Sequence, residues 1–268
     1  MFNLQHNSMT PRAKSTNKRS LSEVDSLKLR GTSSRSPLTA TNDNLIVAPP
    51  IHRIPIPNDK LHQLVNDVCA GKAIDERYGQ IEDWDVSQVR DMSYAFENQN
   101  DFNRDISRWD TSNVTTMVYM FRNAISFNKP LNDWNVSNVI SMSCMFVQAL
   151  TFNQPLNNWN VSNVTTMNGI FSAATSFNQS LSNWNVSNVT TMDCMFCNAL
   201  SFNQSLNDWD VSNVTTMKSM LSSTISFNQP LYGWVLSNQC RPTTANEFNV
   251  MLMSWASLRM NNFIHFAA

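Results

Sequence analysis

Between Ile81 and Leu236 apolar and polar positions follow one another in an order that returns every 25 residues. The unit from Ser176 to Leu200, SFNQSLSNWNVSNVTTMDCMFCNAL, shows it. Val189, Met192, Met195, Phe196 and Ala199 fall at i, i+3, i+6, i+7 and i+10, one face of a short helix. Ser187 or Asn188 is placed to cap its start by accepting a free backbone N–H. Leu181, Trp184 and Val186 follow a different rhythm, that of the apolar positions of a leucine-rich unit with Trp in place of one Leu. Trp184 and Val186 would share one side of a strand, with Asn183, Asn185 and Ser187 on the other. Each unit thus predicts one short strand and one short helix joined by loops, with successive strands pairing in parallel.

The recurrence extends through whole rows of residues. Trp84, Trp109, Trp134, Trp159, Trp184, Trp209 and Trp234 form one; Met92 to Met217 and Phe102 to Phe227 form two more. A fixed period of this length is the mark of a solenoid, in which each unit packs on its neighbours. The expected fold is an α/β solenoid. It would be a leucine-rich-repeat-like right-handed superhelix of about seven 25-residue repeats over residues 78–240. A polar row, Asn103, Asn128, Asn153, Asn178, Asn203 and Asn228, follows the periodic Phe. Side-chain amides at a bend can satisfy their own loop and the next turn, so this row predicts an internal asparagine ladder.

Outside the repeats the pattern changes. Leu61, Leu64, Val65 and Val68 obey the i, i+3, i+4, i+7 rule, with Pro57 and Asn58 at the entrance and Gly71 at the exit. Residues 58–77 therefore predict an N-terminal capping helix over the open end of the first repeat. Residues 1–57 are expected to be a basic, Ser/Thr-rich disordered tail, stiffened by Pro49, Pro50, Pro55 and Pro57. The last repeat decays at Val235-Leu236, and residues 241–268, apolar and Met-rich, are expected to close the far end.

Charge adds one feature. The chain is near neutral overall, which excludes an obvious whole-molecule nucleic-acid binder, but residues 1–50 hold seven Lys/Arg against three Asp/Glu. That tail could meet an anionic partner, nucleic acid or membrane, or simply solubilise the chain. No apolar run approaches the ~20 residues of a membrane span, so no transmembrane segment is expected. The first residues lack the apolar core of a secretory signal, and no early Cys stands in a lipid-attachment context.

Candidate chemistry is sparse. The outward side of the predicted strands carries Asp83, Arg108, Asp133, Asn158, Asn183 and Asp208, and beside them Asp85, Asp110, Asn135, Asn160, Asn185 and Asp210. Such a strip is a candidate contact face for protein or glycan; its bland reading is a solvated surface. Asp83, Asp85 and Asp110 could share a calcium ion, but the middle turns switch to Asn and no calcium-loop motif occurs. Cys194-x-x-Cys197 lacks a second pair or a nearby His for zinc, and reads as a by-product of the repeat. Cys144 and Cys194 are two units apart, about 10 Å at the inter-strand step and beyond disulfide reach. The four His lie outside the repeats, and neither a nucleophile–base pair nor a phosphate loop is visible. No catalytic residue, cofactor or metal is expected. Asn-x-Ser/Thr sequons abound, including Asn113, Asn163, Asn188 and Asn213, largely as products of the repeat.

The segment YGQIEDWDVSQVRDMSYAF (Tyr78–Phe96) and the later copies WDTSNVTTMVYMF, WNVSNVTTMNGIF and WNVSNVTTMDCMF carry a specific likeness. They resemble the BspA-like leucine-rich repeat surface-protein family, also known as DUF285 or the mycoplasma-type lipoprotein repeat, over about residues 60–240. The resemblance implies a non-enzymatic repeat scaffold for protein–protein or adhesive contact, often displayed at a cell surface, with no shared catalytic set. The alternative function is a structural or assembly component, for example of a large virus particle, without a discrete ligand. Residues 1–57 match nothing in the family's repeat, and localisation stays open between surface, cytoplasm and virion.

Overall fold

The computed structural model describes residues 53–240; the expected tail up to residue 52 and the C-terminal cap at 241–268 lie outside the described residues. The first element is helix α1, Leu61–Cys69. Its Leu61 and Val65 are buried, and Leu64 and Val68 pack against the core from its rim. The lead-in residues complete the end of the first turn. Asn58 Oδ1 accepts the backbone N–H groups of Arg90 and Asp91 at 2.7 and 2.9 Å, and Ile56 N–H donates to Asp85 O at 2.7 Å. In the next turn the N–H of Thr115, equivalent to Arg90, donates to Arg90 O itself. Asn58 therefore stands in for the turn that is missing below.

From Ile81 on, the chain returns to the same place every 25 residues. Single-residue parallel bridges link Asp91 to Thr116, Thr116 to Ser141, Ser141 to Thr166, Thr166 to Thr191 and Thr191 to Thr216. Beyond each bridge, alternate N–H groups serve two purposes. Those of Met92, Tyr94, Phe96 and Asn98 reach ahead to the carbonyls of Thr116, Val118, Met120 and Arg122, at 2.8–3.0 Å. Those between, on Ala95, Glu97 and Gln99, turn back to Met92, Tyr94 and Phe96. Half the donors thus close local turns and half join one layer to the next.

This arrangement differs from the expected strand and helix. Where the helix was expected, the path is a run of tight turns, with positive φ at two positions per layer: Tyr94 and Asn98, then Tyr119 and Asn123, and so on to Ser219 and Ser223. The reason is spacing. Helices pack with axes ~8–10 Å apart, whereas the Phe96, Phe121, Phe146, Phe171 and Phe196 rings stack at 5.1–5.7 Å. A chain of turns also advances about three residues per reversal, so it supports the same i, i+3, i+6, i+7 apolar pattern. The strand expected at 184–186 is absent too. Trp184 N–H closes a turn to Leu181 O and Val189 N–H another to Val186 O. Among the described residues parallel pairing occurs only at the row containing Thr191.

The interior repeats layer by layer. In one turn Leu181, Trp184, Val186, Val189, Met192, Met195, Phe196, Ala199 and Phe202 are all buried. Trp rings lie nearly parallel and 6.1–6.5 Å apart at four steps of their row. Each indole from Trp109 to Trp234 donates to a carbonyl 28 residues earlier, at 2.7–3.3 Å. That carbonyl already accepts the backbone N–H of its own layer's Trp; Leu131 O, for example, takes both Trp134 N–H and Trp159 Nε1–H. Trp84, with no layer below, donates to Gly79 O instead. Two departures are absorbed by hydroxyls. Thr111, in the row that holds Val136, donates to Asn135 O, and Thr224, in the row that holds Ala199, donates to Phe196 O.

The layers are joined differently on different sides. On the bridged side they are joined by direct N–H to carbonyl bonds, and the Tyr94 and Tyr119 rings stand 5.2 Å apart. At the Trp corner side chains span the gap, and the rings open to 6.1–6.5 Å.

Candidate interaction surfaces

The polar strip flanks the Trp row, and all its positions are exposed, from Asp83 and Asp85 through Arg108, Asp110, Asp133, Asn135, Asn158, Asn160, Asn183 and Asn185 to Asp208 and Asp210. Its second row is turned back on its own loop. The Oδ1 atoms of Asp85, Asp110, Asn135, Asn160, Asn185 and Asp210 each accept the N–H of the Ser two residues later, at 3.0–3.2 Å. This is the Asx-turn that short polar side chains make. Bonds from Ser112 and Ser212 hold the Asp110 and Asp210 carboxyls below their ordinary value. In the first row Arg108 pairs with Asp83 at 2.5 Å. The carboxylates at the strip's lower end are thus engaged with Ser N–H groups or Arg side chains, and no group of three His, Cys, Asp or Glu able to hold a metal occurs among the described residues.

Two rows of asparagine stitch the layers. In the row from Asn103 to Asn228, each Oδ1 accepts the backbone N–H of the next Asn, at 2.9–3.0 Å. Gln154, Gln179, Gln204 and Gln229 donate to the same oxygens of Asn128, Asn153, Asn178 and Asn203. The second row escaped sequence reasoning. Asn113, Asn138, Asn163, Asn188 and Asn213 donate Nδ2–H to the carbonyls of Ser87, Ser112, Ser137, Ser162 and Ser187, at 2.7–2.8 Å. The signal was there: an exposed residue that stays Asn in five successive units has a reason beyond solubility.

The bridged side is where units differ. The position of Ser93 is Val118, Ser143, Asn168, Asp193 and Lys218 in later units, and that of Tyr94 is Tyr119, Cys144, Gly169, Cys194 and Ser219. Tyr94 is 40% exposed and stacks on Tyr119. The Arg122 guanidinium sits 5.3 Å over the Tyr119 ring and pairs with Glu97 at 2.9 Å. Further along, Gly169 lies close against Cys144, whose Sγ would stand 3.1 Å from a Cβ there. Cys194 and Cys197 are half-buried ends of one turn, closed by Cys197 N–H to Cys194 O at 3.1 Å. Burial, then the neighbouring Cys197, raises the Cys194 thiol above its ordinary value, which leaves it protonated near neutrality and poorly nucleophilic.

One family model, described as Mycoplasma protein of unknown function, DUF285, matches residues 68–172 and again 155–255. The chain belongs to the DUF285 family. The two matches together run from the end of α1 through every described layer, so the family's defining sequence is the layered part of this DUF285 protein. No curated protein and no solved structure matches it.

Proposed function

We propose that this DUF285 chain is a non-enzymatic solenoid scaffold that holds a protein partner on its bridged side. One observation carries the reading: the interior and the Asn rows repeat almost unchanged, while the bridged side changes from unit to unit. The stacked tyrosines, with an arginine over Tyr119, present there the residue types on which interfaces concentrate their energy. The spacing of the layers supports the same side. The Tyr94 and Tyr119 rings stand 5.2 Å apart on it, so a partner would meet one aromatic face that runs across two layers. The second row of the Asp/Asn strip, by contrast, serves its own turns.

The test is position-specific crosslinking in the native cell. A photo-reactive side chain at Ser143, on the bridged side, is expected to capture a discrete protein partner, and one at Asn158, on the strip, is expected to capture none. Capture from Asn158 alone would overturn the assignment of the face, and failure at both would overturn the scaffold reading.

A further inference from the structure

Two layers carry a pair of Asn-x-Ser/Thr sequons only three residues apart, at Asn160/Asn163 and Asn185/Asn188, and the fold treats the two members oppositely. In one layer they are Asn160-Val161-Ser162 and Asn163-Val164-Thr165. The Asn163 side-chain nitrogen is committed: it donates to Ser137 O at 2.7 Å and holds two layers together. Asn160 is held the other way round. Its Oδ1 accepts Ser162 N–H at 3.2 Å, the residue is exposed, and its amide nitrogen joins it to no other layer. Asn135 and Asn185 repeat the arrangement, with Ser137 and Ser187 N–H at 3.1 Å; at Asn135 the Ser137 hydroxyl donates to the same oxygen at 2.7 Å. The sequons at Asn178 and Asn203 are half-buried in the inner ladder.

We infer that Asn135, Asn160 and Asn185 are acceptor sites for an N-linked glycan, and that the fold closes the sequons at Asn113, Asn163, Asn188 and Asn213. The inference is independent of the scaffold reading. The chemistry is a substitution. The anomeric carbon of a lipid-linked oligosaccharide breaks its bond to the pyrophosphate oxygen and forms one to Nδ2. The lipid pyrophosphate leaves with the electron pair, and Nδ2 loses one proton. An amide nitrogen is a weak nucleophile because its lone pair is shared with the carbonyl. Hydrogen bonds donated to Oδ1 draw charge onto the oxygen and make the Nδ2 protons easier to lose, and the Asx-turn supplies such a bond before any enzyme arrives. It also presents Asn and Ser on one bent loop, the two side chains a sequon-reading transferase must contact. At Asn163 the same reaction would replace one of the two Nδ2 protons and crowd a sugar against the bond that this nitrogen donates to Ser137 O.

The experiment uses the folded full-length chain, a purified single-subunit oligosaccharyl transferase and its lipid-linked donor, with sites mapped by peptide mass. A peptide of residues 158–168, which contains both sequons free of the fold, runs in parallel. In the peptide both asparagines are open, and modification divides between them. In the folded chain Asn160 is expected to exceed Asn163 by about tenfold or more, since reaction at Asn163 must wait for local opening. The same ratio in chain and peptide, modification of Asn163 equal to or above that of Asn160 in the folded chain, or a folded chain left bare while the peptide is modified would each overturn the inference. Asn160→Gln should remove the sugar from that layer and leave Asn135 and Asn185 modified.

Discussion

The indole bond between layers can be weighed by Trp159→Phe. Trp159 is 2% exposed, its ring lies 6.2 Å from that of Trp184, and its Nε1–H meets Leu131 O at 2.8 Å. Phenylalanine keeps an aromatic ring in the slot but lacks the donor and part of the volume. Leu131 O keeps Trp134 N–H, so it is not orphaned, and the lost bond costs about 1 kcal/mol instead of a full desolvation penalty. The missing ring atoms add ~1–2 kcal/mol of lost burial and void. The expected cost is therefore about 2–3 kcal/mol, against about 3–5 kcal/mol for Trp159→Ala. Urea unfolding followed by the fluorescence of the remaining tryptophans measures both, with the slope checked so that a broken all-or-none transition is seen as such. If Trp159→Phe changes stability by less than ~0.5 kcal/mol, within the scatter of surface substitutions, the indole–carbonyl link is not part of what couples the layers.

Three further outcomes follow from the same geometry. Asn163→Ala should cost about 1–2 kcal/mol by removing the bond to Ser137 O, whereas Asn183→Ala on the exposed strip should stay within ~0.5 kcal/mol; chemical denaturation separates the two. Gln148, at φ 58, should become more stable as Gly by up to about 1 kcal/mol, and Gly169→Val should be strongly destabilising because it adds both a left-handed β-branched residue and a contact with Cys144 Sγ; thermal melting reads both. Asp110 and Asp210 have folded values below the ordinary 3.8, so their contribution is complete above that pH and is lost as pH falls through the folded values. The variant Asp110→Asn/Asp210→Asn keeps both Asx-turns and should lose less melting temperature below pH 3.8 than the parent.

The sequence made the period legible, and with it the neighbours of each residue in the stack, because a step of 25 fixes which side chain stands over which. It did not make the backbone path legible. Val189, Met192, Met195, Phe196 and Ala199 satisfy a helix and a run of turns equally well, and apolar spacing alone does not report the distance between layers. That distance, set by direct bonds such as Met192 N–H to Thr216 O, is what excludes the helix. The strip at Asp83 to Asp210 was visible as polar and outward, but the Asx-turns that occupy its second row depend on backbone angles that no residue type announces. The bridged side was passed over for a related reason. Its mixed residues obey no period, and a search for repeated rows sets aside the positions that do not repeat.

A last consequence concerns length. Each layer offers upward the same carbonyls, indole slot and asparagine oxygens that it receives from below. Remove residues 151–175 and the cut surfaces are still complementary, with Trp184 donating to Leu131 O where Trp159 did before. Gain or loss of whole units by unequal recombination would leave every internal contact type intact and change only how many variable positions the molecule shows. A lineage could therefore lengthen or shorten this protein as readily as it changes a side chain, and could try out new surfaces without rebuilding the core.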